Sequence, residues 1–223
     1  MSGTAIAAPW TAGYRAELAL EPPSQAPQPG DPAWRWLRQA WRAGGKEAGF
    51  KPAAVRVRWN ERALLFDVIL DGAKPRNGAR GLNERTWEMG DICEIFLQGR
   101  ESATYIELHV TPENQRLQLR WTGASFAAFR ANPSALADHA VSDPAWVRSA
   151  SRVGTERWGV SALVPIETLS LGAAAFTPDT VLMGAICRYD CTGGNGFVLS
   201  STAPLREAAY HRREDWERLV LVR

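Results

Sequence analysis

The sequence is short of cysteine, of long apolar runs and of charge of either sign in excess, and each shortage removes a class of explanation. Three cysteines, Cys93, Cys187 and Cys191, cannot all pair within one chain and lack the spacing of a zinc site, so free thiols are expected. No stretch approaches the about 20 apolar residues that a membrane-spanning helix needs, so no membrane partner is expected. The opening "MSGTAIAAPWTAG" has neither a basic n-region nor an apolar core of signal-peptide length. As it stands the chain reads as soluble and not exported, and a secreted protein already trimmed of its leader would read the same. A net charge of +2, from 26 basic and 24 acidic residues mixed along the chain, leaves no basic stripe, so no nucleic-acid partner is expected.

What is present in quantity is apolar sequence and tryptophan. With 223 residues, 45% of them hydrophobic, the chain can bury a substantial core without a metal or disulfide framework. The simplest organisation is one domain over 1–223, with a Pro-rich loop at 21–33. Ten tryptophans are many for this length, and because a buried indole N–H wants an acceptor, each needs a reason. Trp34, Trp41, Trp59 and Trp121 lie on periodic apolar faces and are expected in the core. Trp158 and Trp216 read as packing residues. Trp87, at the end of a long Gly-rich loop, is the candidate for exposure.

Along the chain, "YRAELAL" (14–20) alternates like a strand before the prolines intervene. Asp31-Pro32 resembles a helix start, with Trp34, Leu37 and Trp41 on one helical face. The period then becomes two. "AAVRVRW" and "ALLFDVIL" read as a hairpin, and "ICEIFL" places Cys93, Ile95 and Leu97 on one face with Glu94 on the other. "TYIELHV" places Ile106, Leu108 and Val110 opposite Tyr105, Glu107 and His109. "QRLQLRW" turns Leu117, Leu119 and Trp121 inward and Arg116, Gln118 and Arg120 outward. Residues 122–145 look irregular or lid-like, with Phe126 and Trp146 able to reach over the sheet. A hairpin around Gly154-Thr155, a helical turn at "IETLSLG", and the strands "VLMGAICRYD", "GFVLS" and "ERLVLV" complete the pattern. About eleven strands and little helix predict an all-β fold, a two-sheet antiparallel β-sandwich with short helices.

If the alternation holds, Glu94, Glu107, His109, Arg120, Arg188 and Asp190 lie away from their apolar neighbours. One reading is a solvated face with cross-strand ion pairs, each contributing about 0.2–1 kcal/mol. The other is a concave floor whose carboxylates and cations hydrogen-bond sugar hydroxyls while Trp87 stacks on the apolar face of a ring.

The order of motifs adds to this. "W..GDICEIFL", "YIELHVTPEN", "RWGVSALVPIETL", "GAICRYD" and "YHRREDWERLVL", following the hairpin, resemble carbohydrate-binding module family 9 and related bacterial domains over roughly residues 50–223. The resemblance implies a β-sandwich related to the DOMON group. It further implies non-catalytic binding of a mono- or oligosaccharide between two Trp rings, with structural calcium nearby. Trp87 then resembles the first ring wall and Glu94 the hydrogen-bonding carboxylate. The second Trp is missing from "FVLSSTAPLREAAY", where Phe197 and Tyr210 are the available substitutes. Glu107 or His109 stands where the family often has Arg. The implied binding set is therefore Trp87, Glu94, Glu107, His109, Arg188, Asp190, Phe197 and Tyr210.

Three rival functions are weighed on residues. A glycoside hydrolase would use Glu94 and Glu107 as its two carboxylates, but the closely spaced acidic strand motif of β-sandwich glycanases is missing, so no catalytic residue is assigned. An accessory or protein-interaction sandwich that has lost sugar binding is the main alternative. Haem ligation, known among DOMON relatives, would draw on Met89, Met183, His109 and His211. No cofactor is assigned; for calcium, Asp67, Asp71, Asp91 and Asp143 are available without a spaced motif, and Asp91 also suits a loop-anchoring role.

Overall fold

The computed structural model describes residues 9–191 and 196–223, so most of the opening read for an export signal lies outside the described residues. The strands are β1 Trp10–Tyr14, β2 Arg35–Trp36, β3 Ala53–Trp59, β4 Ala63–Asp71, β5 Ile92–Gly99, β6 Thr104–Val110, β7 Arg116–Thr122, β8 Arg148–Val153, β9 Arg157–Pro165, β10 Val181–Asp190, β11 Val198–Ser201 and β12 Glu217–Val222, with one α-helix, α1 Gly123–Ala131. They form a single sheet in the order β7-β6-β5-β10-β12-β1-β3-β4-β9-β8, with β11 on β10 and β2 on β3. The protein is thus mostly β, as expected. The expected pair of purely antiparallel sheets is replaced by one strongly curled mixed sheet. The parallel component is β1, which runs alongside both β12 and β3.

The period-two segments pair as their alternation requires. Ala53 lies opposite Leu70 and Trp59 opposite Leu64 in the β3–β4 hairpin, and β5, β6 and β7 follow as consecutive antiparallel neighbours. Inside the curl, one core collects Val55, Val57 and Trp59 with Phe66, Val68, Cys93, Ile95, Leu97, Ile106, Leu108, Val110 and Val160. Burying such side chains stabilises by roughly 1.5–3 kcal/mol each. The Trp59 indole finds its acceptor in the Val222 carbonyl at 2.9 Å. The curl brings the β6–β7 turn to β8: Asn114 and Ser149 are hydrogen-bonded, and the Ser151 hydroxyl donates to the Thr111 carbonyl at 2.9 Å. The Pro-rich loop crosses β9 at Gly159, where a Cβ would lie 2.0 Å from the Pro23 carbonyl oxygen, so only glycine permits that approach.

Four local expectations are corrected. No helix follows Asp31. Its carboxylate accepts the Ala33 N–H in a turn, and Arg35 and Trp36 pair along β3, whose edge offers backbone partners that an isolated helical turn lacks. Trp34 and Trp41 are accordingly half-buried outside the main core, Trp34 lying under the Arg56 guanidinium. The opening strand occupies Trp10–Tyr14 rather than 14–20. In β7 the faces are exchanged relative to β6: Leu119 lies opposite Glu107 and Arg120 opposite Ile106. Leu117, Leu119 and Trp121 are buried, but in a second apolar cluster on the outer face of the sheet. Gln118 and Arg120 point to the inner side, where the Gln118 amide nitrogen and the Arg120 guanidinium donate to backbone carbonyls. Finally, Trp146 packs against the inner core with Arg120 over its ring, so only Phe126 of the two proposed lid aromatics reaches the outer face.

Candidate functional site

The segment that delivers Trp87 and Glu94 is held by its own backbone. Gly90 has φ 147°, and a Cβ there would lie 2.2 Å from the Arg76 carbonyl oxygen. Asp91 then accepts the Arg76 N–H at 3.0 Å and the Cys191 N–H at 3.1 Å, the anchoring role its turn position suggests. With the loop pinned, β5 sends Cys93, Ile95 and Leu97 into the inner core, and Glu94 and Phe96 to the outer face. The adjacent strands add Tyr105, Glu107 and His109 from β6, and Leu119 and Trp121 from β7, to that same face.

A cover closes over this face. Thr122 and Ser125 form a reciprocal capping box that starts α1 where β7 ends. The helix lays Phe126 and Phe129 against the Trp121 ring, with centroids at 5.5 and 5.2 Å. From the C-terminal side, Tyr210 is locked in place because its hydroxyl donates to the Arg188 carbonyl and accepts the Ser200 N–H. His211, the next residue, stacks on Phe126 at 3.7 Å and 15°. On the remaining side stands Trp87, half-buried, edge-on to His109 at 5.9 Å and beneath the Arg85 guanidinium. The cleft so formed is about 610 Å³ and is lined by Trp87, Glu94, Glu107, His109, Trp121, Phe126, Tyr210 and His211 among others.

The floor is a buried acid–imidazole–acid group. His109 Nε2 lies 2.7 Å from Glu107 Oε1 and 3.1 Å from Glu94 Oε1, while its Nδ1 is bonded to the Thr86 hydroxyl at 2.7 Å. The Trp121 indole donates to Glu107 Oε2 at 2.7 Å, and His211 Nε2 is 3.5 Å from that oxygen. His211 is itself oriented by the Tyr105 hydroxyl at 3.0 Å. Glu94 Oε2 is buried and has no hydrogen-bond partner among the described residues.

These contacts separate the two carboxyls electrostatically. Burial pushes Glu94 up to about 8, with the His109 charge opposing and the Glu107 charge adding. Burial acts on Glu107 in the same direction but is outweighed by His211, His109 and the Trp121 indole, which hold it below the usual carboxylate range. Burial disfavours the His109 imidazolium, yet the two carboxylates raise its pKa overall. For His211 burial dominates and lowers it. Burial thus favours a protonated Glu94, while the contacts around His109 and Glu107 favour the charged form of each.

Of the expected binding set, the structure brings Trp87, Glu94, Glu107, His109 and Tyr210 to one cleft. Arg188 and Asp190 are not part of it. Arg188 lies opposite Cys93, so it points to the inner face, where its guanidinium donates to the Asp71 carbonyl at 2.6 Å and pairs with Asp190 at 3.0 Å. Asp190 also meets Lys51. Phe197 is exposed and edge-on to Tyr189, outside the cleft. Tyr210 presents a buried ring whose hydroxyl is already used by the backbone. The acidic calcium candidates are engaged elsewhere: Asp67 with Arg56, Arg58 and Ser161, Asp71 with Arg157, and Asp91 with its loop. Met89, weighed as a haem ligand, lies at the surface.

Thr86, Trp121 and His211 belong to the site without having been expected there. Trp121 carried a usable signal, since a buried indole requires an acceptor, and Glu107 directly follows the residue that faces Arg120 across the ladder.

No family model matches the sequence, and no curated protein does. Solved structures do. A Bacteroides uniformis protein provisionally described as carbohydrate-binding superposes with a TM-score of 0.65 at 15% identity, over 84% of this chain and 85% of that one. A family-9 carbohydrate-binding module from Caldicellulosiruptor kristjanssonii in complex with cellotriose gives 0.62 at 11% identity, over 96% and 93%. One from the same organism in complex with glucose gives 0.61 at 11%, over 96% and 95%. By fold, this chain is a domain like those of carbohydrate-binding module family 9.

Proposed function

We propose that the outer-face cleft binds a mono- or oligosaccharide without catalysing its breakdown. Trp87 lies against the C–H face of one sugar ring, and Glu94, Glu107 and His109 hydrogen-bond its hydroxyls. One observation carries this reading: a half-buried indole stands at the rim of the same cleft whose floor is a buried polar group, with Trp87 and His109 only 5.9 Å apart. A sugar ring needs that combination, because it has an apolar face and a polar edge. The volume of about 610 Å³ falls within the roughly 300–1,000 Å³ usual for small-molecule clefts. The two family-9 modules of similar fold were solved with cellotriose and glucose, which supports the ligand class.

Binding is favoured over hydrolysis by the arrangement of the acids. Glu94 and Glu107 share one imidazole on one floor, whereas a glycosidase places its carboxyls on either side of the scissile bond. Calorimetric or fluorescence titration with a panel of mono- and oligosaccharides tests the proposal. Saturable binding that Trp87→Ala weakens at least tenfold supports it, and silence of the wild type across the panel refutes it. An assay for new reducing ends tests the absence of turnover.

A further inference from the structure

We infer that Glu94, Glu107 and His109 form a site for a divalent transition cation of the zinc type at the floor of the cleft. Their donor atoms all lie within 4.8 Å of one another, and they are the one group of at least three acidic, His or Cys donors with that spacing among the described residues. A hard–borderline set of two carboxylates and one imidazole suits zinc and its neighbours in the first row better than calcium, which prefers six to eight oxygens.

Three features beyond the cluster itself point to an ion. First, Glu94 is 3% exposed, yet its Oε2 has no partner among the described residues. A buried carboxylate oxygen left unpaired costs free energy, and a cation placed between the carboxylates would satisfy it. Second, the imidazole is set for ligation: its Nδ1 is held by the buried Thr86 hydroxyl, which fixes the ring and aims Nε2 at both acids. That outer hydrogen bond is the usual support of a metal-binding histidine. Third, Glu107 Oε2 is held by the Trp121 indole while Oε1 faces His109, so one oxygen is anchored and the other is presented.

The fit needs little movement. Donors arranged tetrahedrally about 2.0–2.1 Å from one zinc sit roughly 3.3 Å apart. The His109 spacings of 2.7 Å to Glu107 and 3.1 Å to Glu94 need only to open by a few tenths of an ångström. Three protein ligands leave a fourth position facing the cleft, as in open zinc sites. His211, 3.5 Å from the anchored Glu107 oxygen, stands beside the cluster as an orienting group. The site does not depend on sugar binding, and the two proposals fail separately.

The test uses the untagged full chain, stripped with a chelator and titrated with Zn²⁺ against a chromophoric competitor. One equivalent is expected to bind, with Ca²⁺ and Mg²⁺ failing to displace it, and Glu94→Gln is expected to weaken binding at least tenfold. X-ray absorption on the zinc-loaded wild type is expected to show a nitrogen/oxygen shell containing one imidazole. This measurement needs no variant and decides the matter if Glu94→Gln fails to fold. Absence of stoichiometric Zn²⁺ binding, affinity unchanged in Glu94→Gln, or sulfur in the shell would each overturn the inference. Zinc binding without any sugar response would leave this site standing and remove the carbohydrate reading alone.

Discussion

Two groups of buried charge lie on opposite faces of the same sheet. On the inner side of β10, Arg188 and Asp190 face one another, Lys51 adds a second cation to Asp190, and Arg188 donates to the Asp71 carbonyl. On the outer side of β5 and β6, two carboxyls share a single imidazole and one carboxyl oxygen has no partner among the described residues. The first group is charge-paired within its own chain and sits against the main core, with Arg188 Nε left without a hydrogen-bond partner among the described residues. The second is acid-rich and opens on a cleft. Buried ion pairs cost desolvation that only good geometry offsets, so the charge-balanced group reads as architecture and the acid-rich group lining the cleft as a place where something else binds.

The difference is sharpened most strongly by breaking the charge-balanced group. Arg188→Met removes the buried guanidinium beside Asp190 and leaves Lys51 as its cation, and the expected loss is about 3–5 kcal/mol. It is read from urea midpoints, with ligand affinity at the cleft nearly unchanged in protein that remains folded. A small loss would mean that Lys51 alone suffices for Asp190.

The acid-rich group should respond to pH in the opposite sense from an ordinary salt bridge. Glu94 is raised from 4.5 to about 8, chiefly by burial, so the folded state keeps a proton that the unfolded chain releases. Its contribution to stability therefore falls as pH rises from about 4.5 to about 8. Glu94→Gln removes that decline. The variant is expected to match the wild type at the acidic end of the window and to exceed it by on the order of a few kcal/mol at the upper end. Parallel urea curves for the two proteins across the window would contradict this.

Trp87→Ala comes next. The ring is half-buried against the outer cluster, so a stability cost of about 1–2 kcal/mol is expected, while sugar affinity falls tenfold or more, about 1.4 kcal/mol of binding free energy. The smallest effect belongs to the cover. Phe126→Ala removes the stack on His211 and the edge contact with Trp121, costing about 0.5–1.5 kcal/mol by thermal unfolding and less than tenfold in affinity.

Much of this architecture was readable because strand alternation is a local signal. Cys93, Ile95 and Leu97 announce a buried face, Glu94 the opposite one, and the hairpins follow from consecutive period-two runs. What was not readable depends on which side of the sheet a given apolar face meets. Leu117, Leu119 and Trp121 alternate as clearly as Ile106, Leu108 and Val110, yet the outer cluster takes the former and the inner core the latter. Alternation reports that a face is buried, not against what. Arg188 misled for the same reason, because β10 is buried on both faces and a polar residue there has no solvent side to mark it. The segment after Asp31 carries helix-like spacing but meets the edge of β3, and ladder hydrogen bonds won over local propensity. The cleft's far wall, built from Phe126 on α1 and His211 near the C-terminus, joins residues too distant in sequence for any motif to connect.

The central claim is that the cleft over Glu94, Glu107 and His109 is a carbohydrate site walled by Trp87. Isothermal titration of the wild type, Trp87→Ala and Arg188→Met with the same sugar panel tests it most directly. Saturable heat is expected for at least one sugar with the wild type and with folded Arg188→Met, and at least tenfold weaker binding with Trp87→Ala. Equal binding by wild type and Trp87→Ala, or no heat from the wild type with any sugar, would contradict it.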